Sequence, residues 1–527
     1  MLLRRFTSSA TKRWKRTTTP SYFSTYRSTI PRHYENINNN NNNKEIVDVG
    51  GIKIFQNKTT PRPDLVPNGI VRRWGDDINS TEVVSHLRWI AQKYLMNQDA
   101  FLLGPPSPLR RRLVLTFAEL LNKEVEFLTI TKDTTESDLK QRREIVGNSV
   151  LFSDQAPVKA AINGRILILD GIENAERNVL PTLNNLLENR EMALEDGRFL
   201  MPAGRINKLV EEHDETIDRL VPVSDDFRVI ALGLPVPPFP GRTLDPPLRS
   251  RFQSRFVDEL SVNDAFTSVF ASEHIPSEKL SMIGAFYQGL IHLRHEALIG
   301  NSGISMIPTF SLDNLSYCLE LLLENPNMPF EKAIARTFPL GYTLDPSFNT
   351  RGSVLTGTTL SPQIGSMLST LINEHGGDAG NENNNNYNND NEGDDEGYDT
   401  NIISMFESST QSWFTDFQKV IIHDVSIDLK NEKHVCILGS KGCGKSYMLN
   451  EIGKRYGATS SIRIMPLYQE MTARDLLQRR STTSTSEEQA KEGRALDGDQ
   501  DDLSSTTWQD SPLITAAKNG DICILDG

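Results

Sequence analysis

The chain is poor in cysteine: it has four in 527 residues, Cys318, Cys436, Cys443 and Cys523, and none shows metal-ligand spacing. Three of them lie in or beside predicted core strands and a glycine-rich loop. That placement points to free thiols in a reducing compartment, not to disulfides. Long apolar runs are missing too. Hydrophobic residues make up 37% of the chain, and no stretch approaches the roughly 20 apolar residues that span a bilayer. A soluble protein without a transmembrane segment is expected. Positive charge is also scarce. Lys and Arg number 56 against 69 Asp and Glu, a net charge of −13. No basic surface then offsets phosphate repulsion, which excludes nucleic acid as the principal partner.

Acidic residues are absent from residues 1–34, where Arg4, Arg5, Lys12, Arg13, Lys15, Arg16, Arg27 and Arg32 stand among Ser and Thr. No apolar h-region follows. A secretory signal is therefore excluded, and a mitochondrial transit peptide over 1–34 is expected, with import into the matrix. Polar tracts punctuate the rest. Asn38–Asn43 lies in an expected linker at 35–64, Asn381–Asp395 in another at 373–400, and Ser481–Thr507 carries the same reading. None can bury enough apolar surface to offset the entropy of ordering.

Glycine is concentrated where it has chemical meaning. Gly439-Ser440-Lys441-Gly442-Cys443-Gly444-Lys445-Ser446 fits the phosphate-loop pattern G-x-x-x-x-G-K-[ST] at every fixed position. The apolar run Val435–Leu438 predicts a strand feeding the loop, and a helical pattern leaves it. Glycines at 439, 442 and 444 let successive backbone N–H groups turn inward around phosphate oxygens. Lys445 would meet the β- and γ-phosphates and Ser446 would ligate Mg2+. A nucleoside triphosphate, ATP with Mg2+, is the expected ligand.

The surrounding unit occurs twice. Asp138-Leu-Lys-Gln-Arg-Arg143 is answered by Asp475-Leu-Leu-Gln-Arg-Arg480, and the segment Ala160–Gly171 by Ala516–Gly527. Phe101–Gly104 answers Val435–Gly439; 34 positions separate Gly104 from Asp138, and 36 separate Gly439 from Asp475. Shared order and near-equal spacing identify a duplicated unit. In each copy, apolar runs alternating with helical patterns predict a parallel sheet with helices on both faces, and ligand at the carboxyl ends of the strands. Asp170 and Asp526 end such runs, so Asp526 is the expected partner of Ser446 on Mg2+. Helical spacing at Leu280–Leu290 and Leu312–Leu323 predicts a helical domain after the first copy.

The first copy departs from the phosphate-loop pattern. In Gly104-Pro-Pro-Ser-Pro-Leu-Arg-Arg111, Ser107 and Leu109 replace glycines, Pro108 brings no N–H, and Arg110 falls near the lysine slot. A degenerate module is expected there. Beyond it, Leu244–Phe252 carries Arg249 and Arg251, of which Arg251 is the candidate arginine finger for a neighbouring subunit; local pairing with Asp258 or Glu259 is the competing expectation.

Together Gly104–Arg111, Asp133–Arg143, Leu183–Glu191 and Gly439–Ser446 resemble the AAA+ ATPases of the MoxR/dynein-related branch, over residues 65–370 and 401–527. The resemblance implies two P-loop α/β modules, at 65–256 and 401–527. The first would be followed by a helical lid at 257–372, and the second cut short before its sensor strand, finger and lid. It also implies ATP hydrolysis, with Lys445, Asp526 and Arg251 catalytic, a matrix location and a homo-oligomeric ring. One departure bears on turnover. Gly171 and Gly527 occupy the slot where a glutamate usually follows the strand-end Asp, with Glu173 a candidate replacement in the first copy. Two alternatives remain: a non-hydrolysing nucleotide scaffold, and an ABC-type ATPase in which Val420–Lys430 is a strand before the loop. The ABC class needs a Ser-Gly-Gly signature that residues 447–520 do not contain.

Overall fold

The structure, a computed structural model, describes residues 44–74, 78, 80–146, 149–176, 178–213, 219–237, 239–268, 277–299, 309–325, 328, 330–338, 414–431, 433–437, 439, 441–456, 462–483 and 505–527. The expected transit peptide, both asparagine tracts, the end of the expected lid and Ser440 lie outside the described residues.

Short apolar runs build a five-stranded parallel sheet in the first unit. Its order is Gln253–Phe256, Ala100–Leu103, Arg228–Gly233, Ile166–Asp170, Val125–Thr129. Residues Ile166–Leu169 and the whole of Arg228–Gly233 are buried, as inner strands covered on both faces must be. Alternate residues serve opposite faces. Leu102, Ile166, Ile168, Ile230 and Leu232 join the core under helices Thr81–Leu95 and Leu109–Leu120. Phe101, Leu167, Leu169, Val229 and Ala231 join the core under Ala156–Asn163 and Asn184–Glu188. The expected α/β architecture is present. After it come helices Val262–Thr267, Ser277–Ile299, Leu312–Glu324 and Phe330–Thr337, which contain both runs read as helical.

The duplication is visible in three dimensions. Asp138 accepts from the Thr135 N–H at 2.9 Å, and Asp475 from the Thr472 N–H at 3.0 Å; each opens a one-turn helix. Gln141 then bonds Asp154 at 2.7 Å and Gln478 bonds Asp510 at 2.6 Å, each pair setting the register of an antiparallel hairpin. Helices Ala156–Asn163 and Pro512–Asn519 both end at a left-handed glycine, Gly164 and Gly520, the conformation in which a Cβ is costly. One ion pair is kept with its charges exchanged. Arg165 reaches Glu126 on the adjacent strand at 2.6 Å, whereas Asp521 receives Arg463 from the matching strand position at 2.8 Å.

Four sequence expectations are corrected. Residues 44–57, expected in the linker at 35–64, form an antiparallel hairpin, Lys44–Val49 with Ile52–Asn57. Its turn, Gly50-Gly51, holds φ +59° and +85°, which a two-residue hairpin of this hand requires. Val49 and Ile54 then enter the core. The ends of the polar tract 481–507 are also ordered: Gln478–Thr483 pairs with Ser505–Asp510. Val435–Leu438 is not a strand over its described residues. In the first unit the matching strand bonds only Arg228–Gly233 and Gln253–Phe256, and counterparts of those two are not among the described residues of the second. Val435 and Ile437 pack instead beside Phe414, Ile422 and Met448. Finally, Val420–Lys430 belongs to helix Asp416–Lys430, capped by a Thr415–Gln418 box, so the strand on which the ABC alternative rested is absent.

That helix docks on the first unit's helical segment. Asp428 accepts from the Tyr317 hydroxyl and from Arg336. Asn431 donates to Glu324 at 2.8 Å, and Lys433 pairs with Glu320 at 2.7 Å.

Candidate functional site

The second unit brings most of the predicted loop residues into one constellation. Gly442 and Gly444 both hold φ +87°, a backbone region that a Cβ disfavours and that turns consecutive peptides to one side. A Cβ on Gly439 would meet Cys443 Sγ at 3.0 Å, and one on Gly444 would meet Gln418 Nε2 at 3.2 Å. The loop therefore has glycine where the chain passes closest to itself. Helix Lys445–Tyr456 starts directly after Gly444 and carries the next two functional candidates. The Lys445 ammonium folds back to donate to the Gly439 carbonyl at 2.9 Å. The Ser446 hydroxyl donates to Asp526 Oδ1 at 3.0 Å.

Asp526 reaches that position because strands Ile462–Pro466 and Ile522–Asp526 pair in parallel, placing it at the carboxyl edge beside Pro466. Two oxygen groups 80 residues apart in sequence thus meet at the head of a helix. A hydroxyl and a carboxylate are the hard oxygen donors Mg2+ prefers, and the loop leaves their surroundings exposed, so the residues fit that ion. Among the described residues no group of three or more His, Cys, Asp or Glu is arranged to hold a metal by itself. No helix there is long and apolar enough to cross a membrane.

Sequence reading missed Gln418. Its amide donates to the Cys443 carbonyl at 3.3 Å and ties the loop to helix Asp416–Lys430. Only the helix makes the contact intelligible, since Gln418 lies 25 residues before its partner.

The first unit places different chemistry at matching positions. Arg110 stands six residues after Gly104, as Lys445 does after Gly439. It is buried, bonding the carbonyls of Gly104 and, at 2.8 Å, Pro105. Burial holds its guanidinium below its ordinary range, while Asp170 and Glu173 pull the other way. Arg111 stands at the Ser446 position and pairs with Asp170, Nε to Oδ2 at 3.0 Å. Gly104 has no room for a side chain: a Cβ there would lie 2.0 Å from the Val257 carbonyl oxygen.

The remaining candidates come from other elements. Arg251 bonds Glu188 and the Pro247 carbonyl, not the expected local partners Asp258 or Glu259, the latter of which pairs with Arg294. Arg249, on the same short helix, is exposed. Glu173 is buried and accepts from the Leu234 N–H at 3.2 Å, enclosed by Gly233 and Gly241. Gly171 holds φ +80° and a Cβ there would lie 2.9 Å from Asn174, so the missing glutamate has no easy seat at that position.

Comparison with known proteins agrees with this geometry. The AAA domain of the dynein-related subfamily matches residues 99–252 and again 434–527. Mouse von Willebrand factor A domain-containing protein 8 is 37% identical over 500 residues, 92% of this chain. The chain spans only 24% of that protein's length. A solved structure of a presumed ATPase from Cytophaga hutchinsonii covers 58% of this chain and 92% of its own, at 12% identity and a TM-score of 0.29, a similarity too slight to carry an argument. Residues 99–252 and 434–527 are thus two matches to the dynein-related AAA domain, within a stretch 37% identical to the mouse protein.

Proposed function

We propose that this chain binds ATP with Mg2+ at residues 439–446 and works as part of a homo-oligomeric ring in the mitochondrial matrix, where ATP hydrolysis drives remodelling of client proteins. The observation that supports the binding step best is the 3.0 Å contact of Ser446 with Asp526, set beside two glycines of positive φ. Ser446 and Asp526 would hold Mg2+, which would supply charge neutralisation for the phosphates. The chain's own residues do the rest. Peptide N–H groups of the loop receive phosphate oxygens, and Lys445 exchanges the Gly439 carbonyl for one of them. Arg251, the sequence candidate for a trans finger, must first leave Glu188; the exposed Arg249 needs no such release.

Turnover draws on a carboxylate other than position 527, which is glycine. That glycine favours a second reading, a scaffold that holds nucleotide without hydrolysing it. Labelled ATP and phosphate release, measured on the full chain and on Lys445→Ala with and without Mg2+, separate the two. Lysine-dependent binding and turnover support the ATPase. Lysine-dependent binding alone supports the scaffold, and no saturable binding removes both. Residues 1–34 are the import signal in this reading, tested by import into isolated mitochondria with and without them.

A further inference from the structure

We infer that Arg111 is a built-in substitute for the divalent cation in the first unit, so that its loop accepts no metal-bound nucleotide. This rests on the reading of residues 439–446 as the site of ATP with Mg2+. Arg111 follows Gly104 by seven residues, as Ser446 follows Gly439. Asp170 and Asp526 likewise correspond: each ends its strand opposite the last residue of the neighbouring one, Thr129 and Pro466. Where the second unit has a hydroxyl and a carboxylate in contact, the first has a guanidinium and a carboxylate. Nε and Nη2 of Arg111 both donate to Asp170 Oδ2.

A second observation concerns the seat of that cation. The Arg111 guanidinium lies 5.2 Å from the Phe127 ring centroid, within reach of the attraction between a cation and an aromatic face. The matching residue of the second unit, third in its strand, is Ile464, which offers no such face. The aromatic seat is thus present where the guanidinium is and absent where the hydroxyl is. The rest of the first loop is committed as well. Arg110 holds the carbonyls of Gly104 and Pro105, and the Thr309 hydroxyl holds that of Pro106. A metal ion entering here would have to displace a charged side chain from Asp170 and would find no hydroxyl at position 111.

Mn2+ is a paramagnetic stand-in for Mg2+, and its uptake by the full chain with a non-hydrolysable ATP analogue tests the inference. Lys445→Ala with Asp526→Asn serves as parent, to silence the second loop. The parent should take up no nucleotide-dependent Mn2+, and adding Arg111→Ser should raise Mn2+ affinity at least tenfold. Arg111→Lys, which keeps the charge, should behave as the parent. Mn2+ bound by the parent and lost on adding Asp170→Asn overturns the inference. No gain on Arg111→Ser also overturns it, since the prolines of the loop would then be what excludes the ion. If the chain with Lys445 intact binds no Mn2+, the reading of residues 439–446 fails separately, and the Arg111 comparison still decides.

Discussion

Replacing Lys445 by Met gives the sharpest test of the second loop. A unit charge about 4 Å from a phosphate charge is worth about 4 kcal/mol at the effective dielectric near a protein surface. Lys445 is only partly buried, and its ammonium already bonds the Gly439 carbonyl at 2.9 Å, a contact it must give up. Hydrogen bonds to charged groups contribute about 1.5–3 kcal/mol net, so about 2 kcal/mol is the appropriate figure. That corresponds to a roughly 30-fold weaker dissociation constant. Titration calorimetry of ATP with Mg2+ against the full chain measures it directly. Arg110→Met should leave the affinity unchanged, because that guanidinium serves its own loop. An affinity for Lys445→Met within about threefold of the parent's, on a variant that folds normally, would refute the placement of phosphate at this loop; the predicted loss is a full decade larger.

Gly444→Ala should also weaken ATP binding, since it imposes a Cβ at φ +87° and 3.2 Å from Gln418, a strain of about 1–2 kcal/mol; an unchanged affinity would show that the loop rearranges on binding. Arg165→Met should lower the unfolding free energy by about 3–5 kcal/mol, because it strands Glu124 and Glu126 without their shared cation. Urea denaturation reads this, and a loss under about 1 kcal/mol would mean that water screens the cluster. His86, with its pKa depressed to about 4 by burial and by Arg255, stays neutral in the fold where an unfolded histidine would take up a proton. Its contribution is therefore full above pH 6.5 and is lost as pH falls towards about 4. Thermal midpoints over that window should fall less in His86→Gln than in the parent, and parallel curves would contradict the assignment.

What could be read from the sequence was whatever depends on near neighbours. The loop 439–446, the inner strand Ile166–Leu169 and helix Leu312–Glu324 each announce themselves within a dozen residues, by glycine spacing or by apolar periodicity. What escaped depends on partners far along the chain. Val435–Leu438 has the composition of a strand, but a strand needs a ladder neighbour, and its described residues have none within the described sheet. The hairpin joining Gln478–Thr483 to Ser505–Asp510 brackets a long polar insertion, and polarity alone reads as a loop. The Gly50-Gly51 turn was hidden by the asparagines beside it. The exchanged pairs Glu126–Arg165 and Arg463–Asp521 are two unrelated substitutions in sequence and a single swapped contact in space.

Helix Asp416–Lys430 has 15 residues, about 22 Å at 1.5 Å per residue. Near its start Gln418 grips the Cys443 carbonyl, and the Phe414 ring lies tilted against that of Tyr447, centroids 5.4 Å apart. Near its far end Asp428, Asn431 and Lys433 are moored to Tyr317, Arg336, Glu324 and Glu320. The helix thus joins the loop at one tip to helix Leu312–Glu324 at the other, whose Leu315, Leu319 and Leu322 are set in the first unit's core. One 15-residue helix therefore belongs to the packing of both copies of the duplicated unit.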